Sequence, residues 1–168
     1  MALRPKEPRA REEDLAALYA RPGFQFRRAH QVGLSIFAEE CAGLDLTTTQ
    51  YGILVALAER PGMDQIGLGT ALGLDRSTTT AVVDLLETRT LLRRERHATD
   101  GRRRVLTLTP AGLALLRHAS AATARARERL LHPLTAQERA TLRALLDRLL
   151  DHHDLAVRVP LRRPPPAD

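Results

Sequence analysis

The chain has 168 residues, with 26 Lys+Arg against 20 Asp+Glu, a formal net charge of +6 and one cysteine; that length suits one domain with an adequate core better than two. A single cysteine excludes an intramolecular disulfide framework and a cysteine-cluster zinc site, and agrees with a reducing, cytoplasmic setting. The longest uncharged run, Leu46 to Ala58, is 13 residues, short of the roughly 18 to 20 that cross a bilayer, and no secretory apolar stretch opens the chain, so no membrane role is expected.

Residues 1–21 mix charges with Leu15, Leu18 and Tyr19 and read as an N-terminal arm or a short helix. Pro22 is placed to open a long helix, where its missing N–H costs nothing. Phe26, Ala29, Leu34 and Phe37 keep helical spacing to about Glu40, before Gly43. Thr47 and Gln50 have the spacing of a capping box, and Leu46 and Tyr51 that of a hydrophobic staple, so the next helix runs to about Glu59. Pro61-Gly62 forms a turn, Asp64 caps a short helix that stops at Gly73, and Asp75 starts another reaching about Thr88.

From Leu91 the period changes. Leu91 to Arg96 and Arg104 to Thr109 read as two strands joined by the polar segment at 97–101. Thr109-Pro110 restarts a helix to Leu131, and Thr135 with Glu138 makes a second capping box ahead of Leu142, Leu145, Leu146, Leu149 and Leu150. Prolines from Pro160 onward predict a disordered tail over 160–168.

The fold class is therefore mainly α with a small β-hairpin wing: a winged helix-turn-helix with N- and C-terminal dimerisation helices. Residues 45–109 are expected to bind DNA, and 22–44 with 110–159 to form the dimerisation region, because leucine-rich outer helices have too little core of their own to cover. Such a homodimer would address a pseudo-palindromic site on double-stranded DNA.

The charge supports this. Of the basic residues only Lys6 is lysine, and seven arginines lie between Arg89 and Arg104 against two acids, Glu95 and Asp100. A basic cluster at a hairpin is the footprint of a phosphate-binding surface. At 100° per residue, Thr79, Val82, Val83 and Leu86 share the inner side of the helix after Asp75, and Ser77, Thr80, Ala81 and Asp84 the outer. Arg76, Ser77, Thr78 and Thr80 are the DNA-contact candidates on that helix. In the wing they are Arg102, for minor-groove insertion, with Arg103 and Arg104, which alternate along a strand so that only one of the two need face DNA; Asp100 would orient an arginine. Asp84 on the DNA side would repel phosphate unless Arg89 or a wing arginine pairs with it.

The stretches LTTTQYGILVALAERPG, LGLDRSTTTAVVDLLE and DGRRRVLTLTPAG resemble the MarR family of bacterial transcriptional regulators, with Asp100, Arg102, Leu108, Thr109 and Gly112 matching its wing motif. The resemblance spans about Pro22 to Leu116 and implies a homodimeric, usually repressing DNA-binding protein released from its operator by small molecules. The chain departs from many relatives in carrying Ala81 and Leu85 at positions that are often basic, and Thr90 where a glycine is frequent. The segment RPGFQFRRAHQ is similar to the first-helix start of members that sense aromatic acids, which implies an effector of benzoate, hydroxycinnamate or hydroxynicotinate type.

The residues themselves accommodate an aromatic carboxylate there: Phe26, His30 and Phe37 share a face, with Arg27 on its flank. Arg28 points to the opposite side in this count but stays a candidate, as do Tyr51 one turn into the next helix and Asp64 at a neighbouring helix start. A histidine on such a face is also commonly a core or dimer residue. No cofactor and no metal are expected, since the adjacent pair His152-His153 points about 100° apart. No glycine-rich phosphate loop, nucleophile elbow or helical zinc pair is present, so an enzyme is not expected. The alternatives are a redox response at Cys41, which a helix C-terminus disfavours, or a ligand-independent architectural DNA-binding protein.

Overall fold

A computed structural model describes residues 14–96, 103–154 and 161. The described chain forms α1 (Leu15–Tyr19), α2 (Pro22–Glu40), α3 (Thr48–Glu59), α4 (Gln65–Leu72), α5 (Arg76–Thr88), β1 (Leu92–Arg96), β2 (Arg104–Leu108), α6 (Pro110–Leu131) and α7 (Ala136–His153). These match the expected elements to within a residue or two, the strands being one residue shorter.

Side-chain caps set most helix starts. Thr47 and Thr135 head reciprocal capping boxes with Gln50 and Glu138, while Asp64, Asp75 and Thr109 each accept from the backbone N–H three residues on. Each satisfies donors that a helix start leaves orphaned, for about 1 kcal/mol.

Helices α4 and α5 end alike, on two different residues. At Gly73 (φ 63°) the N–H groups of Gly73 and Leu74 return to Thr70 O and Gly69 O; at Thr90 (φ 57°) those of Thr90 and Leu91 return to Glu87 O and Leu86 O. This left-handed cap suits glycine and is strained in a β-branched residue. Thr90→Gly is therefore expected to stabilise the protein by about 1 kcal/mol, visible as a rise in thermal midpoint; a fall would show that the Thr90 side chain supports the turn.

Antiparallel β1 and β2 pair Leu92 with Leu108 and Arg96 with Arg104. A further bridge that the sequence pattern does not announce joins Met63 to Leu106, through Leu106 N–H to Met63 O at 2.8 Å and Gly62 N–H to Leu106 O at 3.1 Å. The α3–α4 turn thereby acts as a short third strand and fixes the hairpin to the helices.

Ile53, Leu54, Leu57, Leu68, Val83, Leu86, Leu92 and Leu106 are buried in one cluster between α3, α4, α5 and the hairpin, and Ala119 of α6 closes it. By contrast α2 and α7 contain no buried residue. α2 lies along α6, with Gly33 facing Leu130, Glu39 paired to Arg129 at 2.7 Å and Glu40 to Arg125 at 2.9 Å. Leu161, within the segment expected to be disordered, is placed: its N–H donates to Asp154 at 2.7 Å and its side chain lies beside Gly73.

Candidate nucleic-acid interface and ligand site

Helix α5 presents two faces of opposite chemistry. Thr79, Val83 and Leu86 are buried, while Arg76, Ser77, Ala81 and Asp84 are exposed. Asp75 organises its first turn: one carboxylate oxygen accepts from the Ser77 hydroxyl at 2.6 Å and Thr78 N–H at 2.8 Å, the other from the Thr78 hydroxyl at 2.8 Å. These bonds, the Ser77 hydroxyl first, hold the Asp75 carboxyl far below the usual carboxylate range. Thr78 is half-buried in this cap, whereas Ser77 stands on the open face.

Arginines tie the hairpin to both helices beneath it. Arg94 of β1 reaches the carboxylates of Asp84 and Glu87 on α5, so the acid on the exposed face of α5 is neutralised by an arginine of the hairpin. Arg89, the other candidate for that pairing, turns instead to Asp45, through its carbonyl at 2.5 Å and its carboxylate at 3.5 Å. Arg103 pairs with Asp64 at 2.9 Å, and Arg104 stands exposed opposite Arg96. Sequence reasoning did not single out Arg94, although a basic residue facing acids one helical turn apart was the available signal.

Asp64, a ligand candidate, is engaged within the fold. Its carboxylate accepts from Gly67 N–H at 2.7 Å, the larger cause of its lowered pKa, and from Arg103. With both partners in place it is a helix cap and hairpin anchor. Asp100 and Arg102 lie outside the described residues.

The remaining ligand candidates fall into two groups. Phe37 and Tyr51 meet, with ring centroids 6.2 Å apart, and the Tyr51 hydroxyl is hydrogen-bonded to that of Thr123 at 3.1 Å. Tyr51 also borders a cavity of about 290 Å³ lined by Val55, Ala56, Met63 and Leu72, residues that the sequence pattern did not mark. Phe26, Arg27, Arg28 and His30 stand on the exposed first half of α2. Arg27 lies 4.8 Å from the Phe24 ring, and Arg28 does not diverge from it: both guanidiniums donate to Gln31 Oε1, at 3.2 and 2.8 Å. Long side chains reach across the angle that a helical count assigns them.

Cys41 is 3% exposed, and burial pushes its thiol pKa up, the reverse of what a reactive thiolate needs. Among the described residues no three His, Cys, Asp or Glu side chains are grouped to hold a metal, and no helix is long and apolar enough to cross a membrane.

Residues 44–103 match the model of the MarR family. A transcriptional regulatory protein for the hcr operon of Thauera aromatica is 35% identical over 128 residues, 76% of this chain and 77% of that one. The chain belongs to the MarR family of transcriptional regulators. Among solved MarR-family structures, PcaV from Streptomyces coelicolor in complex with its natural ligand superposes with a TM-score of 0.75 at 38% identity, covering 80% of this chain and 94% of PcaV. BpsR of Bordetella bronchiseptica, described in terms of regulation of its DNA binding by 6-hydroxynicotinic acid, has a TM-score of 0.75 at 27% identity, covering 79% and 95%. As a MarR-family regulator the protein is a DNA-binding transcription factor and not an enzyme.

Proposed function

We propose that the protein is a repressor that binds a pseudo-palindromic operator as a homodimer and is released by a small aromatic carboxylate. The observation that carries the DNA half is the exposed α5 face, braced by the ion pairs from Arg94 to Asp84 and Glu87. In this reading residues 45–109 bind DNA, with Arg76, Ser77 and Thr80 in the major groove and Arg104 on the backbone. Arg102, outside the described residues, enters the minor groove with Asp100 orienting it. Arg103 reaches DNA only with its exposed edge, since Asp64 holds the other.

Residues 22–44 and 110–159 form the dimer interface. Support comes from α7, an 18-residue helix with no buried residue, and from Phe26 and Leu34 exposed on α2. Dimerisation would cover the exposed half of α2 and close a site between Phe26, Arg27, Arg28 and His30 on one side and the Phe37–Tyr51 pair on the other. An aromatic ring suits the rings there, and a carboxylate suits the arginines. BpsR, whose DNA binding 6-hydroxynicotinic acid regulates, supports that effector class.

The test is thermal unfolding against benzoates, hydroxycinnamates and hydroxynicotinates. An effector at about 100 times its dissociation constant adds about 2.7 kcal/mol, a shift of roughly 5 to 10 °C at this chain length. The shift should vanish in Arg27→Ala and His30→Ala, and the same compound should release the protein from a selected duplex. No shift with any aromatic acid would defeat the effector assignment.

A further inference from the structure

We propose that Thr80 reads a thymine methyl group in the major groove; the inference rests on the operator-binding reading above and specifies its chemistry. Thr80 borders two concave surfaces. One is the cleft between α4 and α5, about 830 Å³, lined also by Gln65, Ile66, Thr70 and Arg76. The other is the open depression on the outer face of α5, shared with Arg76, Ser77, Ala81 and Asp84.

Its hydroxyl is held from both sides. Thr80 Oγ1 lies 2.8 Å from Arg76 O. A carbonyl oxygen has no proton to give, so the single hydroxyl proton points back along the helix. Gln65, at the start of α4, donates from Nε2 to the same oxygen at 2.6 Å. That assignment of the amide is the consistent one, because with the proton already on Arg76 O the Thr80 oxygen has only lone pairs to offer Gln65.

The consequence is chemical. With its proton used and a lone pair occupied, Thr80 cannot donate to the major-groove acceptors of guanine, adenine or thymine. What it offers is the γ-methyl of a half-buried side chain, which lines the same depression as the exposed Ala81, and in the major groove the matching apolar group is the thymine C5-methyl. The neighbouring hydroxyl protons are committed likewise, those of Ser77 and Thr78 to the Asp75 carboxylate. Hydrogen-bond donation from this turn then falls to Arg76.

The experiment uses the full chain and a duplex enriched from a random-sequence pool, with each thymine replaced in turn by deoxyuridine, which removes only the methyl. Wild-type protein should bind about fourfold more weakly when one particular thymine in each half-site is replaced, as expected for one buried methyl. Thr80→Val, which keeps a methyl and removes the hydroxyl, should retain that discrimination, and Thr80→Ser should bind thymine and uracil duplexes equally. Wild-type indifference at every thymine, or discrimination persisting in Thr80→Ser, overturns the inference while leaving operator binding intact. Failure to enrich any sequence removes the operator reading and this inference with it.

Discussion

Replacing Gly112 with alanine is expected to destabilise the protein by about 3 kcal/mol, lowering the thermal midpoint by roughly 6 to 12 °C. Gly112 lies in the first turn of α6, where its N–H donates to the Thr109 hydroxyl at 3.1 Å. A Cβ there would sit 2.0 Å from Leu91 O and 3.0 Å from Leu91 C. Backbone atoms cannot rotate away as a side-chain tip can. Leu91 is moreover pinned, since its N–H bonds to Leu86 O and its carbonyl accepts from Thr109 N–H.

Alanine would gain about 1 kcal/mol of intrinsic helix propensity over glycine, and the steric cost exceeds that. Because Leu91 leads directly from the end of α5 into β1, the displacement would shift the hairpin relative to α5, the helix proposed to face DNA, and DNA affinity should fall together with stability. Thermal unfolding at fixed protein concentration decides it. A midpoint within about 2 °C of wild type would mean that the α6 start shifts freely, and the account of Gly112 would be wrong.

The second large effect concerns association. Leu145 and Leu149, one turn apart on α7, are 51% and 47% exposed, and Leu142 and Leu150 flank them. Burying a leucine side chain is worth about 1.5 to 3 kcal/mol, and a two-fold interface repeats each contact. Leu145→Glu combined with Leu149→Glu would place four carboxylates in the proposed interface and should raise the dimer dissociation constant more than about a hundredfold. Neither leucine is part of the buried cluster around α3, α4, α5 and the hairpin, so the helical circular dichroism of that part should persist. Sedimentation velocity should then show the monomer at micromolar concentration, and binding to a two-half-site duplex should weaken in parallel. An unchanged sedimentation coefficient would place the interface elsewhere.

Much of this architecture is written locally. The starts at Thr47, Asp64, Asp75, Thr109 and Thr135 and the stop at Gly73 depend on contacts three to five residues apart, a range over which residue type and spacing carry the physics. The change from helical to alternating period marks the hairpin, and its arginines mark a basic surface. That was enough to point to a winged helix-turn-helix and to the family.

What needed the tertiary structure is the choice among partners of the same chemical type. Seven arginines and several acids crowd the hairpin region, and sequence spacing does not say that Arg94 takes Asp84 and Glu87, that Arg89 turns to Asp45, or that Arg103 takes Asp64, 39 positions away. Charges pair by distance in space, and that distance is set by packing. The same holds for Gln65 on Thr80 and for the bridge from Met63 to Leu106. Gly112 can be recognised as part of a motif, but the carbonyl that forbids a side chain there belongs to a residue 21 positions earlier. The sequence by itself determined the elements, their order and the sign of the surface, because those follow from local hydrogen bonding and composition. Only the packed fold decided which hydroxyls and guanidiniums remain available to DNA, because a polar group's capacity is set by the partners it has already found.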